Sequence, residues 1–292
     1  MDSGPLRANY RSIHFAGTTP CIEATNSHLA PRIETVHHTL MSDPIKDSGP
    51  VLVGKMKITD GERAKRKELD RAPRPRVAST LVLTCGSRKN LKILMGQRSK
   101  RHDFMPSVYV FPGGRVDRAD SFAPFAGDLS ARTERILEAA YPPRRARAVA
   151  LASVRETWEE TGLMLGAKAK TNRNINNESY DDFRAAGLLP DLSGVEVFGR
   201  AVTPPHRHKR FDAWFFVKHL GERHPPRIKD SSELLNVGWF TFEEIEALET
   251  QRATDMMLGV LKRYLKADRP PETIFYSRAI RGEFKMLQFP EE

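Results

Sequence analysis

Cysteine is nearly absent from this 292-residue chain: only Cys21 and Cys85 occur, far apart in sequence. Two distant thiols cannot build a disulfide framework or a thiolate zinc cluster, so the composition is that of a reduced, intracellular protein, and a cytoplasmic location is expected. Long apolar runs are missing too. No stretch approaches the roughly 20 apolar residues that span a bilayer. The N-terminus has neither the apolar core nor the cleavage site of a secretory leader. Residues 1 to about 50 lack apolar periodicity and carry scattered Pro, His, Ser and Thr, which reads as disorder. Internal repeats are absent as well.

What is present is basic charge. The formal net charge is +10, and it is unevenly spread: residues 55–76 hold nine Lys/Arg against four Asp/Glu. A basic surplus favours anionic partners such as phosphorylated small molecules, RNA or a membrane surface, and it also describes a plain solvated tail. Met56, which opens this stretch, reads as a plausible natural start. "RAPRPR" (71–76) is a proline-broken linker. The expected organisation is therefore a disordered basic extension over 1–70 and one folded domain over 71–292. Hydrophobic residues are 39% of the chain, enough for a packed core in that second part.

The domain begins at "VASTLVLTC" (77–85), whose β-branched and apolar residues predict a buried strand. A turn at "GSRKN" leads to a second strand, "LKILMGQR" (91–98). "SVYVF" (107–111) predicts a third, ended by Pro112-Gly113-Gly114. "LSARTERILEAAY" predicts a short helix stopped by Pro142-Pro143. "RRARAVALASVRETWEETG" continues as a longer one with a glycine stop at Gly162. "VEVFGRAVT" (195–203) and "FDAWFFV" (211–217) read as strands around a basic turn. "VGWF" is a short strand before a helix capped near Thr241. A last helix is expected over about 251–266. Strands and helices mixed in this order predict an α/β domain with a mixed sheet.

In "RETWEE" the carboxylates Glu156, Glu159 and Glu160 stand three and four apart, on one helical face. Arg155, four before Glu159, can pair with that carboxylate. Three acids on one face repel one another unless they are solvated or share a divalent cation. Hard oxygen donors of this kind suit Mg2+ or Mn2+. A solvated acidic face is the alternative. Small apolar residues in the preceding turns, Ala148, Val149, Leu151 and Ala152, let the helix pack on a sheet, and a glycine turn lies upstream.

"RETWEETGL" resembles the second half of the Nudix box, G-x5-E-x7-R-E-U-x-E-E-x-G-U, with U a bulky apolar residue. Arg155, Glu156, Thr157, Glu159, Glu160, Gly162 and Leu163 fall on its positions, Thr157 as a poor fit. "GRVDRAD" resembles the first half: Gly114, five residues, then Asp120 in place of Glu. The family spacing of seven residues is here the 34 residues 121–154, so the box reads as split by an insertion between 114–120 and 155–163. Loop-closure entropy grows only logarithmically, so such an insertion is tolerable. The resemblance implies the family's α/β/α sandwich and magnesium- or manganese-dependent hydrolysis of the diphosphate bond of a nucleoside diphosphate derivative. It implies that Glu156 and Glu160 hold the metal, that Glu159 shares it while oriented by Arg155, and that the Gly114 carbonyl is a further ligand. The base varies across the family: Glu156 is one candidate, and Glu233 in the loop "KDSSELLNVGW", otherwise a plain loop glutamate, is another.

A box interrupted after "FPGG" resembles the peroxisomal and bacterial coenzyme A diphosphatases. Members with an uninterrupted box carry L-L-T-x-R-[S/A]-x3-R-x3-G-x3-F-P-G-G. In "LMGQRSKRHDFMPSVYVFPGG" Leu94, Arg98, Ser99 and the terminal FPGG are in register, while Asp103 replaces the second Arg and Ser107 the Gly. Coenzyme A or acyl-coenzyme A is thus one candidate substrate. The basic turn around His206, Arg207, His208, Lys209 and Arg210 offers donors for its phosphates, or is a solvated turn. Trp214 and Trp239 read as core. Because the insertion leaves and returns at the box, it is expected to shape the substrate entrance, with Phe122, Phe125 and Tyr141 beside Arg132, Arg135 and Arg144. Two other readings stay open: hydrolysis at an RNA 5′ end, although no aromatic groove for nucleic acid is legible, and a silent Nudix-like binding module, which has no need of three clustered acids.

Overall fold

The computed structural model describes residues 51–52, 67, 71–99, 107–169, 177–221, 225–281 and 283–290. In chain order its elements are β1 (Val51–Leu52), β2 (Arg76–Cys85), β3 (Lys92–Arg98), β4 (Tyr109–Val110), β5 (Gly113–Arg115), α1 (Ala131–Glu138), α2 (Pro143–Thr161), β6 (Gly166–Ala167), α3 (Asp181–Ala185), β7 (Leu189–Pro190), β8 (Glu196–Val202), β9 (Phe211–His219), β10 (Leu234–Phe240), α4 (Phe242–Glu246), α5 (Arg252–Lys266), β11 (Ile274–Ile280) and β12 (Glu283–Phe289).

The main sheet runs β1-β12-β11-β8-β9-β2-β3-β10, with β4 on β3 and β5 on β2. It is mixed, as expected: β2 lies parallel to β9 and β11 parallel to β8, while the remaining pairs are antiparallel. Strand periodicity divides its side chains between two faces. Leu81, Leu83, Leu94, Trp214 and Phe216 pack with α2 on one face. Val82, Ile93, Met95, Phe215 and Val217 pack with α5 on the other. The result is a helix–sheet–helix sandwich.

Local chemistry sets the helix ends. Pro143 stands at the first position of α2, where its missing N–H is no loss, and Gly162 closes the helix in the left-handed conformation (φ 66°). Thr241 caps α4 with a full capping box to Glu244, at the position expected from the sequence.

Three features depart from expectation. β11 and β12 form a hairpin that the sequence reading missed, although "TIFYSRAI" and "EFKMLQF" are β-rich runs flanking Arg281-Gly282. Val51 and Leu52 pair with β12, so the stretch 1–70 is not wholly a free extension; its other residues, apart from Lys67, lie outside the described ones, as does Asp103.

The third departure is the insertion, which does not stand at the acids. From Pro143 onward it is the first part of α2 itself. Residues 131–138 form α1, with Ile136 and Leu137 fully buried. Thr133 Oγ1 donates to Glu196 Oε2 at 2.6 Å, and an Arg132 guanidinium N–H donates to the Val197 carbonyl at 2.8 Å. Phe122 and Phe125 lie under Arg144 and Arg147 near the start of α2. At 1.5 Å rise per residue, Glu156 is roughly 20 Å along the helix from Pro143. Anchoring a loop at both box halves therefore does not hold it there. Its apolar residues bury against the far end of α2 and the start of β8, so the expectation that it shapes the entrance is corrected.

Candidate active site

The Pro112-Gly113-Gly114 turn brings β5 back along β2, with Gly114 opposite Ser79 and Gly113 opposite Thr80. The last turns of α2 lie across it. Glycine at 114 is a steric requirement, since a Cβ there would sit 2.4 Å from the Glu156 carboxyl carbon. The Gly113 N–H donates to Glu160 Oε2 at 2.8 Å. The two halves of the box thus meet.

Arg155 is the centre of the site and is buried. Its Nε donates to Asp120 Oδ1 (2.9 Å), one terminal nitrogen to both Glu156 Oε1 and Glu159 Oε2 (2.9 Å each), and the other to the Arg115 carbonyl (2.9 Å) and Asp120 Oδ2 (3.2 Å). Burial by itself would lower the Arg155 pKa. The Asp120 hydrogen bonds and the charges of Glu156, Asp120 and Glu159 outweigh it and hold the guanidinium charged. Asp120, fully buried, also accepts from the Asp117 N–H (2.7 Å) and the Tyr180 hydroxyl (2.7 Å).

The three glutamates differ in setting. Glu160 is buried, and its pKa is pushed well up, first by burial and then by the charge of Glu156. Glu156 is raised to about 7, chiefly by burial, against the pull of Arg155 and with help from Glu159 and Glu233. Glu159 is half-exposed and raised for the same first reason. Carboxylates buried together with one guanidinium among them hold more negative charge than the protein compensates.

This surplus suits a divalent cation in donor chemistry: hard oxygens from Glu156 and Glu160 lie beside the glycine turn. The arrangement is not a finished three-acid ligand set. Among the described residues no group of three or more His, Cys, Asp or Glu is placed to hold a metal ion. Of the expected trio, Glu160 is buried on the glycine turn, while Glu156 and Glu159 are both held by Arg155.

Glu233 is exposed in the loop before β10, and its charge reaches Glu156, Glu159 and Glu160. Arg98, opposite Leu234 in the sheet, acts on Glu160. Ser107 keeps the left-handed backbone (φ 67°) at the place of the signature glycine, and its carbonyl accepts from Gln97 Nε2 at 2.8 Å.

The basic turn is only partly available. Arg210 donates to the carbonyls of Thr203 and Pro73 (both 2.9 Å). Lys209 is exposed. Arg207 lines a cavity of about 210 Å³ on the α5 face of the sheet, with Thr80, Phe111, Phe211, Phe215 and Met256 among its other walls. Thr80 pairs with Gly113 and Phe111 precedes Pro112, so the cavity lies next to the glycine turn. Trp214 is fully buried core, as expected, and Trp239 packs on the same cluster. Sequence reasoning missed the cavity, assembled from five strands and a helix, and Tyr180, which no local pattern marks.

No protein-family model matches this chain. It is 26% identical over 221 residues to the acyl-coenzyme A diphosphatase NUDT19 of Gallus gallus, covering 58% of each chain. It is 25% identical over 181 residues to the putative nudix hydrolase 7 of Caenorhabditis elegans, covering 58% of this chain and 52% of that one. The chain thus spans little more than half the length of these curated relatives. A crystal structure of a NUDIX hydrolase from Alicyclobacillus acidocaldarius superposes with a TM-score of 0.49 at 26% identity, covering 64% of this chain and 90% of the other.

Proposed function

We propose that this chain, a Nudix-superfamily protein by its split box and its relatives, is a divalent-metal-dependent hydrolase. Its substrate would be a nucleoside diphosphate derivative, cleaved at the diphosphate bond. The observation that carries this reading is the meeting of the two box halves: Glu160, buried, accepts from the Gly113 N–H, and Glu156, held by Arg155, is pressed against Gly114. These two acids, with the Gly114 carbonyl, would hold Mg2+ or Mn2+, and Glu159 would join them. The bound cation would neutralise diphosphate charge and lower the pKa of the attacking water.

The chain's own residues supply the rest. Arg155 fixes the rotamers of Glu156 and Glu159, so the acids stand pre-ordered. Glu233, whose charge reaches them, is one acceptor for the water's proton and Glu156 the other. Arg98 and Arg207 would meet phosphate oxygens, and Lys209 is a further candidate. The largely apolar cavity beside the turn suits a non-phosphate arm of the substrate. A coenzyme A or acyl-coenzyme A substrate fits this division, and the similarity to the chicken diphosphatase supports it. The cytoplasmic location belongs to the same proposal. Among the described residues no helix is long and apolar enough to cross a membrane.

The test is a screen of coenzyme A, acyl-coenzyme A, ADP-ribose and dinucleoside polyphosphates with Mg2+, products identified by mass. Cleavage of a diphosphate bond that excess EDTA abolishes is expected. Hydrolysis undiminished in EDTA, or no cleavage of any substrate, would sink the reading.

A further inference from the structure

Asp120 is one methylene shorter than the glutamate the box calls for, yet it is the partner that seats Arg155. Each of its oxygens is saturated: Oδ1 accepts from Arg155 Nε (2.9 Å) and the Tyr180 hydroxyl (2.7 Å), and Oδ2 from Arg155 (3.2 Å) and the Asp117 N–H (2.7 Å). Four acceptor sites are what a carboxylate has. Tyr180 is buried, its ring against Phe183. Burial and the Asp120 charge push its pKa well up, so the phenol keeps its proton and can only donate to this anion.

The surrounding segment reaches both box halves. Asn177 Nδ2 donates to the Ala119 carbonyl at 3.0 Å, beside the first half. Trp158 Nε1, from the second half, donates to Asp182 Oδ2 at 2.8 Å, and its ring meets Phe183. Residues 177–183 therefore bridge the two pieces that the insertion separates in sequence.

We propose that Tyr180 is a positioning residue for the acid helix, its hydroxyl fixing the short Asp120 arm that orients Arg155, and that Asn177–Phe183 is the splint of the split box. The chain of action runs from Tyr180 through Asp120 and Arg155 to Glu156 and Glu159. Removing the hydroxyl leaves a buried carboxylate short of one donor, which loosens its hold on the guanidinium. A glutamate at 120 would push its carboxylate into the phenol, and with Phe at 180 the same longer arm has room. The two changes should therefore rescue each other. This rests on the proposed hydrolase reading only for its catalytic consequence.

The experiment uses the full chain in four forms: wild type, Tyr180→Phe, Asp120→Glu and the double variant. Tyr141→Phe is the control, since that hydroxyl also binds a carboxylate, Asp212, at 3.0 Å but away from the acids. The first readout needs no substrate: hydrogen exchange of the Arg155 Nε–H by 15N NMR in metal-free protein. The second is kcat and KM with Mg2+ and coenzyme A or ADP-ribose. Tyr180→Phe is expected to speed Arg155 Nε–H exchange at least tenfold and to lower kcat about tenfold, about 1.4 kcal/mol, with KM within twofold. Asp120→Glu should behave alike, and the double variant should return to within threefold of wild type. Tyr141→Phe should lower the melting temperature and leave both readouts unchanged. Unchanged Arg155 exchange in Tyr180→Phe, or a double variant no better than the worse single, overturns the proposal. If Tyr180→Phe does not fold, Asp120→Glu, which keeps the ring, decides by the same exchange. If wild type cleaves neither probe, the hydrolase reading fails while the exchange still judges the positioning claim.

Discussion

The two ends of α2 obey different rules. Its first turns carry Ala146, Ala148, Val149 and Ala150, fully packed among apolar neighbours that include Leu137 of α1. Its last turns carry Arg155, Glu156, Glu159 and Glu160, with like charges packed together under cover. One end stabilises and the other stores repulsion that only the fold holds in place. Both stretches are helical in pattern, so the contrast lies in what each end faces: α1 and the sheet at one, the glycine turn at the other.

The sharpest break of this contrast is Glu160→Gln. The amide oxygen can still accept from the Gly113 N–H, but the charge is gone. Turnover should fall on the order of a thousandfold. The melting temperature of metal-free protein should hold or rise, because the amide is neutral at every pH where burial and Glu156 oppose ionisation of Glu160. Full activity in this variant would end the claim that the acid end is catalytic.

At the other end, Leu137→Ala should cost about 2–5 kcal/mol of stability through the cavity it leaves, measured by urea unfolding. kcat/KM ratios among substrates should not move, since α1 packs on the first turns of α2 and the start of β8. A changed ratio would return the insertion to the substrate entrance.

The acid end also predicts a pH effect. In metal-free protein Glu156 is raised from 4.5 to about 7. Between those values the folded state binds more protons than the unfolded one, so stability falls as pH rises. The shift corresponds to on the order of 3 kcal/mol. Thermal melts in EDTA should show a lower midpoint at pH 7.5 than at pH 5.5, and excess Mg2+ should narrow the gap. A midpoint that rises over this range would contradict the raised Glu156.

The smallest effect concerns a backbone position near neither end. Ser107 holds φ 67°, where a side chain costs about 1–2 kcal/mol that glycine avoids, against about 0.5–1 kcal/mol of extra unfolded-state freedom. Ser107→Gly should therefore gain roughly 0.5 kcal/mol in denaturant unfolding. A loss would mean that the hydroxyl has a structural role.

Much was legible without coordinates. Periodicity placed β2, β3, β8, β9, α2 and α5 close to their observed ends, because each buries a face whose pattern is local, whereas β10 starts three residues earlier than expected, at Leu234. Spacing alone placed three acids and Arg155 on one face of α2, and Arg155 does hold Glu159. Glycine at 114 was legible as a turn, but its reason, the Glu156 carboxylate against the backbone, needs two segments at once.

Tertiary structure decided what depends on distant partners. The insertion settled at the far end of α2 because Ile136 and Leu137 bury there, and loop anchors do not dictate where a loop packs. Arg210 turned to backbone carbonyls, and Glu159 to Arg155. Tyr180 reaches Asp120 across 60 residues of chain, a contact no periodicity can announce. The sequence by itself determined which chemistry was available: buried-face strands, an acid helix, a glycine turn. Only folding decided which charges would be covered and which held, since burial and hydrogen-bond partners, not residue type, set the strength of an electrostatic interaction.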